Sequence, residues 1–160
     1  MFSTQKNLQE IIKQSRTGGD LQSILIQQYD EIKKELKSQH PQTQTSALQK
    51  LFFLKMEGID IASLDFQIVN CLGSPNFALK RMACLQSSIA IDPTSQSLFM
   101  ATNIFKKEMM KSNYIELSCI LSCITNIVDK EMSPRIIEEA LKLLKSTNPL
   151  IRKKTMVLVA

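Results

Sequence analysis

The segment Leu48–Leu85 constrains the fold more than any other, because apolar residues recur in it at helical spacing between two short breaks. The first apolar stretch ends near Gly58, and a short helix follows through Phe66. A second break at Gly73-Ser74-Pro75 precedes a third helix, which carries Lys80-Arg81. A helix–turn–helix–turn–helix unit of this kind is typical of helices that stack on one another.

Glycine and proline, which interrupt regular secondary structure, are scarce along the whole chain, and this favours long helices over short strands. The 160 residues include only four glycines and five prolines, and most of the prolines stand where a helix would begin. The hydrophobic content of 44% is enough for one ordinary core. We therefore predict an all-α protein with a single domain over residues 1–160.

Helical spacing of apolar residues predicts about nine helices. They run from Ser3 to Ser15, after an N-cap at Asp20, from Pro41, from Ile61 to Leu72, after Pro75, after Asp92-Pro93, after Ser112-Asn113, from Ser133-Pro134, and from Asn148-Pro149 to the end. The seventh helix is apolar on more than one face, which predicts a central position for it.

Two helices carry patterns that predict which side faces the core. In the second helix, the charged residues at positions 30, 31 and 33–35, Glu35 among them, are expected to face water. In the fifth helix, Ala78, Met82, Leu85 and Ile89 keep an i, i+4, i+7, i+11 rhythm, which predicts an apolar stripe.

Proline spacing indicates an internal repeat. Pro41 and Pro75 lie 34 positions apart, and Pro149 lies a further 74 positions on, close to two units of 37. Helix pairs at about this period are typical of an alpha-solenoid of HEAT- or armadillo-like repeats, although ~40 to 47 residues is more usual for those two. Superposing residues 80–85 on residues 153–158 supports the same phase. Because the chain ends in apolar residues without a polar cap, we expect an N-terminal fragment of a longer array.

Enzyme signatures are absent from the sequence. It has no glycine-rich phosphate loop, no GxSxG elbow and no HExxH motif, and its lone histidine is His40 in a predicted loop. Glu138 and Glu139 are neighbours on a helix, so their carboxylates diverge rather than converge on a substrate. We predict a non-catalytic chain without a cofactor.

The four cysteines, Cys71, Cys84, Cys119 and Cys123, lie within apolar helical stretches. Cys119 and Cys123 share one helix face, but a zinc site would need CxxC pairs or histidines nearby. We therefore expect buried reduced thiols, no metal, and a cytosolic compartment.

Charge is mildly basic and occurs in small clusters. The net charge is +5 and the pI about 9.1, and the two main clusters are Lys80-Arg81 and Arg152-Lys153-Lys154. Only 6% of the residues are aromatic, which argues against nucleic-acid binding. Two interpretations stay open for the clusters: an anionic site for phosphoinositide headgroups or an acidic partner, or structural charges that contact acidic residues of a neighbouring repeat.

Membrane contact is expected to be peripheral. No stretch reaches the ~18 uninterrupted apolar residues that a spanning helix needs. The N-terminus turns polar at once and has no signal-peptide core.

The opening segment also carries a pattern that resembles a known family. The matching residues are Leu51, Leu54, Met56, Gly58 and Asp60, then Phe66, then Ser74-Pro75-Asn76-Phe77 and Lys80-Arg81 with Leu85. In order and spacing they resemble the N-terminal trunk of the large adaptin chains of heterotetrameric vesicle-coat adaptor complexes. Those chains carry K-L-x-x-x-x-M-x-G-x-D, followed by S-x-x-F-x-x-K-R-x-G-Y-L.

Further segments are similar to the delta class of large chain, from adaptor protein complex three. They are Lys6 to Glu10 with Arg16, Asp30 to Leu36, Thr102-Asn103 with Lys107-Glu108, and Ile151 to Lys154. The resemblance therefore covers nearly the whole chain.

The resemblance implies a non-catalytic alpha-solenoid scaffold that embraces a small sigma-type chain and joins a beta-type large chain and a mu chain. It implies sorting of transmembrane cargo between Golgi, endosomes and lysosome-like organelles. It also implies recruitment by an Arf-type GTPase and a cytoplasmic location, peripheral on Golgi and endosomal membranes.

One cargo-binding residue follows from the same resemblance. In related large chains, the arginine that closes the first helix helps to bind acidic dileucine signals, and Arg16 holds that position here. A guanidinium fork suits a carboxylate.

The chain departs from the family pattern at two places. Ala83-Cys84 stands where the family has Gly-Tyr, which should alter packing more than function. Gln42 to Ser46 replaces the lysine run by which alpha-type chains bind phosphoinositide. The alternative to an adaptor subunit is a generic HEAT-repeat protein-binding scaffold, such as a transport receptor or a phosphatase subunit.

Overall fold

A computed structural model describes residues 8–16, 21–91 and 96–160, and all regular secondary structure in these ranges is helical. The helices are α1 (Leu8–Arg16), α2 (Leu21–Leu36), α3 (Pro41–Met56), α4 (Asp65–Leu72, preceded by a 3-10 turn at Ala62–Leu64), α5 (Phe77–Ala90), α6 (Ser97–Met109), α7 (Tyr114–Ile127), α8 (Ser133–Leu143) and α9 (Pro149–Val159). The predicted helix start at Ser3 and the breaks at Gly18-Gly19-Asp20 and Asp92-Pro93 lie outside the described residues.

The chain divides into two compact units, Met1–Ile61 and Ala62–Ala160. In the first unit, α2 packs along α3 and α1 contacts both. Side chains such as Ile32, Leu48 and Leu51 are fully buried between these helices. The apolar stripes of amphipathic helices thus meet each other, as helical spacing predicts.

Glu35 corrects the expectation that the charged residues of α2 face water. Its side chain is only 7% exposed, and both of its carboxylate oxygens accept hydrogen bonds from Lys50 Nζ of α3, at 2.7 and 2.9 Å. A buried carboxylate needs a counter-ion, and this one lies 15 positions away in the sequence, on the neighbouring helix.

Gly58 ends α3 in a left-handed conformation, with φ of +87°. The backbone N–H of Gly58 donates to Lys55 O and that of Ile59 donates to Leu54 O, both at 3.0 Å. These two bonds form a Schellman motif, in which a residue with positive φ closes the helix. The glycine of the sequence pattern therefore has a backbone role.

The second unit is an array of helix pairs: α4 with α5, α6 with α7, and α8 with α9. Helices α5, α7 and α9 contact one another in sequence and form one row, while α4, α6 and α8 form the other. Helix α7 contacts α5, α6 and α9 and is therefore central to this unit, as its apolar faces predicted. The alpha-solenoid class is confirmed.

A shared loop structure sets the period of the repeat. In three loops, a serine Oγ accepts a hydrogen bond from the backbone N–H two residues on, just before a helix begins. The pairs are Ser38 with His40 (3.2 Å), Ser74 with Asn76 (3.1 Å) and Ser146 with Asn148 (3.3 Å). The serines lie 36 and 72 positions apart, so Lys80 corresponds to Arg152, and the predicted superposition on Lys153 is wrong by one residue.

The apolar stripe predicted for α5 is also wrong. Leu85 and Ile89 are 49% and 44% exposed, whereas the buried face runs through Leu79, Lys80 and Ala83. Polar residues occupy part of that face, including Gln86 and Ser87, which are fully buried. Because these buried residues are polar, the spacing of apolar residues did not indicate which face of α5 packs into the core.

Candidate functional site

Lys80 is the centre of a buried ion-pair network that joins three helices. Its side chain has 0% exposure, and its Nζ donates to Glu108 Oε2 of α6 at 2.8 Å and to Glu116 Oε2 of α7. Glu108 also accepts from Lys111 at 2.6 Å, and Glu116 from Asn113 at 2.9 Å. We call these five residues the Lys80 network.

The sequence positions this network through helix starts and ends. Asn76 Oδ1 caps α5 by accepting from Leu79 N–H, and Lys80 follows one turn into the helix. Asn113 caps α7 in the same way, three positions before Glu116. Lys80 and Glu116 thus lie in the first turns of adjacent helices of one row.

Electrostatics favour the charged forms of Lys80 and Glu116. Burial lowers the pKa of Lys80, but hydrogen bonds to Glu108 and Glu116 more than offset this, so its pKa lies above the ordinary value. The hydrogen bond from Lys80 is the main cause of a lowered pKa at Glu116, against a smaller desolvation effect.

Lys50 shows that the other lysine of the sequence pattern is also structural. It stands directly before Leu51, is 3% exposed, and forms the buried pair with Glu35 described above. Both pattern lysines, Lys50 and Lys80, therefore bind carboxylates of neighbouring helices. For Lys80, the structure agrees with the interpretation that the basic clusters are structural charges, which contact acidic residues of a neighbouring repeat.

The second basic cluster is bound to backbone oxygens in part. Arg152 Nη1 donates to Ser146 O at 2.7 Å and to Thr147 O at 2.9 Å, which ties down the loop before α9. Lys154 Nζ donates to Ser118 O at 2.9 Å and to Ser122 Oγ, both on α7. Lys153 is exposed.

Three members of the two clusters, Arg81, Lys153 and Lys154, line pockets on the α5–α7–α9 row. Arg81 and Lys154 line a pocket of about 210 Å³ between α5 and α7. Lys153 and Lys154 line a second pocket, of about 300 Å³, between α7 and α9. The structure thus brings Arg81, Lys153 and Lys154 to one row of helices.

Charge is distributed unevenly between the two rows. Helices α5, α7 and α9 contain five basic residues and a single acidic one, Glu116. Helices α4, α6 and α8 contain four of each sign. The α5–α7–α9 row also exposes apolar side chains, among them Leu85, Leu150 and Val157. Lys80 is buried, so the basic residues that reach the surface of this row are Arg81 and residues 152–154. Such a surface suits a partner with an acidic, partly apolar face.

Three thiols meet inside the 210 Å³ pocket, which the sequence did not predict. Cys84 of α5 lies beside Cys119 and Cys123 of α7, and all three line the pocket with Arg81 and Lys154. The four cysteines are free; Cys71, Cys84 and Cys123 are buried and Cys119 is partly exposed. Among the described residues no group of His, Cys, Asp or Glu has an arrangement that could hold a metal ion.

Arg16, the predicted cargo contact, closes α1 and its side chain is exposed. Its role stays a prediction, as does the anionic site predicted for Lys80, Arg81 and residues 152–154. Within the described part of the chain, no helix combines the length and the hydropathy that crossing a bilayer requires.

Comparison with known proteins identifies related chains. The family model described as the adaptin N-terminal region matches residues 22–160. The AP-3 complex subunit delta of Saccharomyces cerevisiae is 28% identical over 162 residues, covering 97% of this chain and 17% of that protein. The AP-3 complex subunit delta-1 of Bos taurus is 26% identical over 155 residues, covering 96% and 13%.

Gamma-type chains match as well. The AP-1 complex subunit gamma-1 of Mycosarcoma maydis is 26% identical over 152 residues, which cover 95% of this chain and 17% of that protein. The chain spans less than a fifth of the length of these curated relatives.

Proposed function

This chain belongs to the adaptin N-terminal region family, as the sequence resemblance predicted, and we propose that it is part of a large chain of a heterotetrameric vesicle-coat adaptor complex. The observation that carries the proposal is the two-row helix array in the region that the family model matches. Such an array offers long surfaces for other chains, which is a scaffold's requirement. Its role would be to hold partners rather than to catalyse a reaction.

The finer assignment is to the delta class of adaptor protein complex three. Support comes from the names of the yeast and bovine relatives, both delta subunits. On this assignment the partners are a sigma-type small chain, a beta-type large chain and a mu chain. An Arf-type GTPase would recruit the complex to Golgi and endosomal membranes, where it would sort cargo with dileucine signals.

Co-expression tests the class of complex directly. The full-length protein is expressed with the sigma-type chain of adaptor complex three, or with that of adaptor complex one as the matched control. Retention of the first through affinity purification and gel filtration is expected. Retention of neither would favour a generic HEAT-type scaffold, and retention of the second alone would favour the gamma class.

Arg16 is proposed to contact the acidic residue of a dileucine signal. Its exposed guanidinium at the end of α1 supports this. In a reconstituted complex, Arg16→Glu should weaken binding of a dileucine peptide in fluorescence anisotropy. Lys37→Glu, which makes the same charge change at an exposed position, is the control. Unchanged affinity with Arg16→Glu would reject the assignment.

The α5–α7–α9 row is proposed to face an anionic surface, either an acidic partner chain or lipid headgroups. Arg81 and Lys153, its exposed cations, are the residues to reverse, while Lys80 and Arg152 are already bound within the fold. Arg81→Glu with Lys153→Glu should weaken co-sedimentation of the complex with phosphoinositide vesicles if lipid is the ligand. Loss of a partner chain from the complex instead would identify a protein interface. If both vesicle binding and the partner chains were retained, the proposal of an anionic surface would be refuted.

A further inference from the structure

The pocket of about 210 Å³, called the thiol pocket from here on, contains three cysteines that the proposed scaffold role does not use, although that role does use Arg81 at the pocket's edge. Cys119 is the partly exposed member of the trio, and Cys84 and Cys123 pack behind it with 3% and 2% exposure. Arg81 and Lys154 line the same opening, so that two cations flank a reachable sulfur atom. A reachable thiol beside cations and a hydrogen-bond donor is the setting in which cysteines become nucleophilic.

We propose that Cys119 is a modification site, which forms a mixed disulfide with an anionic low-molecular-weight disulfide held by Arg81 and Lys154. The Cys119 thiolate attacks one sulfur of the reagent, and a bond forms between them as the reagent's own S–S bond breaks. The second sulfur leaves as a thiolate and takes a proton from water. No further oxidant is required, because the reagent's disulfide is the electron acceptor.

Local electrostatics favour Cys119 as the attacking group. Its pKa is lowered to about 7, first by the hydrogen bond from Cys84 and then by the charges of Lys154, Arg81 and Lys80, although desolvation opposes this. The pKa of Cys84 is raised by its hydrogen bonds to Cys119 and Cys123 and by burial. Because the two shifts have opposite directions, Cys84 keeps its proton and donates it, while Cys119 is the more readily ionised thiol of the two.

Charge complementarity selects the class of reagent. The pocket of about 210 Å³ has cations from α5 and α9 at its edge, and neither helix contains an acidic residue. Oxidised glutathione combines carboxylates with a disulfide and is the probe of choice. Lys154 is already bonded to α7, which fixes its charge close to the sulfur.

Cys71 provides an internal control within the same chain. It lies on α4, is 4% exposed, does not line the pocket, and burial raises its pKa to about 11. At neutral pH a larger fraction of Cys119 than of Cys71 is thiolate. The more acidic thiol is also the weaker nucleophile, which offsets part of this advantage, so Cys119 should react on the order of 10²-fold faster than Cys71.

The test exposes the reduced full chain to oxidised glutathione at neutral pH and maps each modified cysteine by peptide mass spectrometry over time. Cys119 should be modified on the order of 10²-fold faster than Cys71. Cys119→Ser should abolish the fast phase, and Cys71→Ser should leave it intact. Modification of Cys71 at the same rate, or of no cysteine, would overturn the proposal.

A second arm tests the anionic class of reagent. Arg81→Gln should slow the reaction with oxidised glutathione by about two- to fivefold more than it slows the reaction with neutral hydroxyethyl disulfide, the range expected for one exposed charge. The neutral reagent should also react more slowly, because the Arg81 charge helps to lower the pKa of Cys119. Lys153→Gln is the control, since Lys153 is exposed but does not line this pocket. Equal effects of Arg81→Gln on both reagents would overturn the role assigned to the cations.

Discussion

Replacing Lys80 by methionine should destabilise the second unit strongly. Methionine keeps most of the side-chain volume but removes the ammonium, so the loss of charge is the main change. Glu108 is 4% exposed and Glu116 19%, and each then lacks its shared counter-ion. Removing one partner of a buried ion pair typically costs about 3 to 5 kcal/mol.

The rest of the Lys80 network places the expected loss at the lower end of that range. Glu108 keeps its bond from Lys111 and Glu116 keeps that from Asn113, so neither carboxylate is left bare. We expect the free energy of unfolding to fall by about 3 kcal/mol. With a urea m-value of about 2 kcal/mol/M, the midpoint should move down by about 1 to 2 M.

Urea unfolding followed by far-UV circular dichroism measures this shift. The matched control is Lys142→Met, because Lys142 pairs with Glu138 at 2.9 Å on an exposed helix surface, and its midpoint should stay within error of wild type. Adding Glu108→Gln to Lys80→Met should recover part of the loss, since it removes the uncompensated charge. A loss below about 1 kcal/mol for Lys80→Met would refute the network as a major stabilising contact.

The same network predicts a pH profile. The pKa of Glu116 is lowered in the folded chain, so its contribution is present above about pH 4.3 and is lost as pH falls through the folded pKa. The pKa of Lys80 is raised, so its contribution is present below about pH 10.4 and is lost only as pH rises through the folded value. The stability difference between wild type and Lys80→Met should therefore be flat between about pH 5 and 10 and shrink on either side.

Three further substitutions test local parts of the fold by urea unfolding. Gly58→Ala should cost about 1 to 2 kcal/mol through its positive φ alone, since no atom lies within 4 Å of the added Cβ. Gly73→Ala, at a negative φ, is its control and should be near neutral. Asn148→Ala should cost about 1 kcal/mol because α9 loses its N-cap hydrogen bond, and a neutral result would remove the cap from the account. Lys50→Met should destabilise the first unit by about 3 kcal/mol, because its buried partner Glu35 keeps a charge; a shift as small as that of an exposed lysine would contradict this.

Most of the fold follows from local signals in the sequence. Pro41 and Pro149 occur in the first turn of their helices, and Asn113 and Asn148 cap theirs, so these boundaries were predicted within a residue or two. The central place of α7 followed from its apolar faces. Such signals depend on residues that are close in sequence, so they can be identified without knowledge of the tertiary contacts.

The parts that sequence did not predict depend on contacts between helices. Glu35 was expected in water, yet its counter-ion Lys50 approaches only when α3 packs on α2. One interpretation of the Lys80 cluster was contact with acidic residues of a neighbouring repeat, but the sequence did not indicate which residues. They are Glu108 and Glu116, 28 and 36 positions away. A pattern based on apolar residues assigns charged residues such as these to the surface. They can be buried only when an oppositely charged partner is buried with them.

The thiol pocket shows the same limit at the candidate site. The i, i+4 spacing placed Cys119 and Cys123 on one face, but nothing in it indicated that Cys84 would meet them. The position of three cysteines inside apolar stretches predicts that their thiols are buried. It gives no information on whether the three thiols lie next to one another. The contact of α5 with α7 decides the question, together with the two cations that it brings to the same opening.

Mass spectrometry of the native complex, purified through the full-length protein, tests the central claim most directly. The account predicts one large adaptin-type chain with one beta-type chain, one mu chain and one sigma chain of the same adaptor complex. Recovery of the protein alone, or with a phosphatase catalytic subunit or a transport cargo and no sigma-type chain, would contradict it.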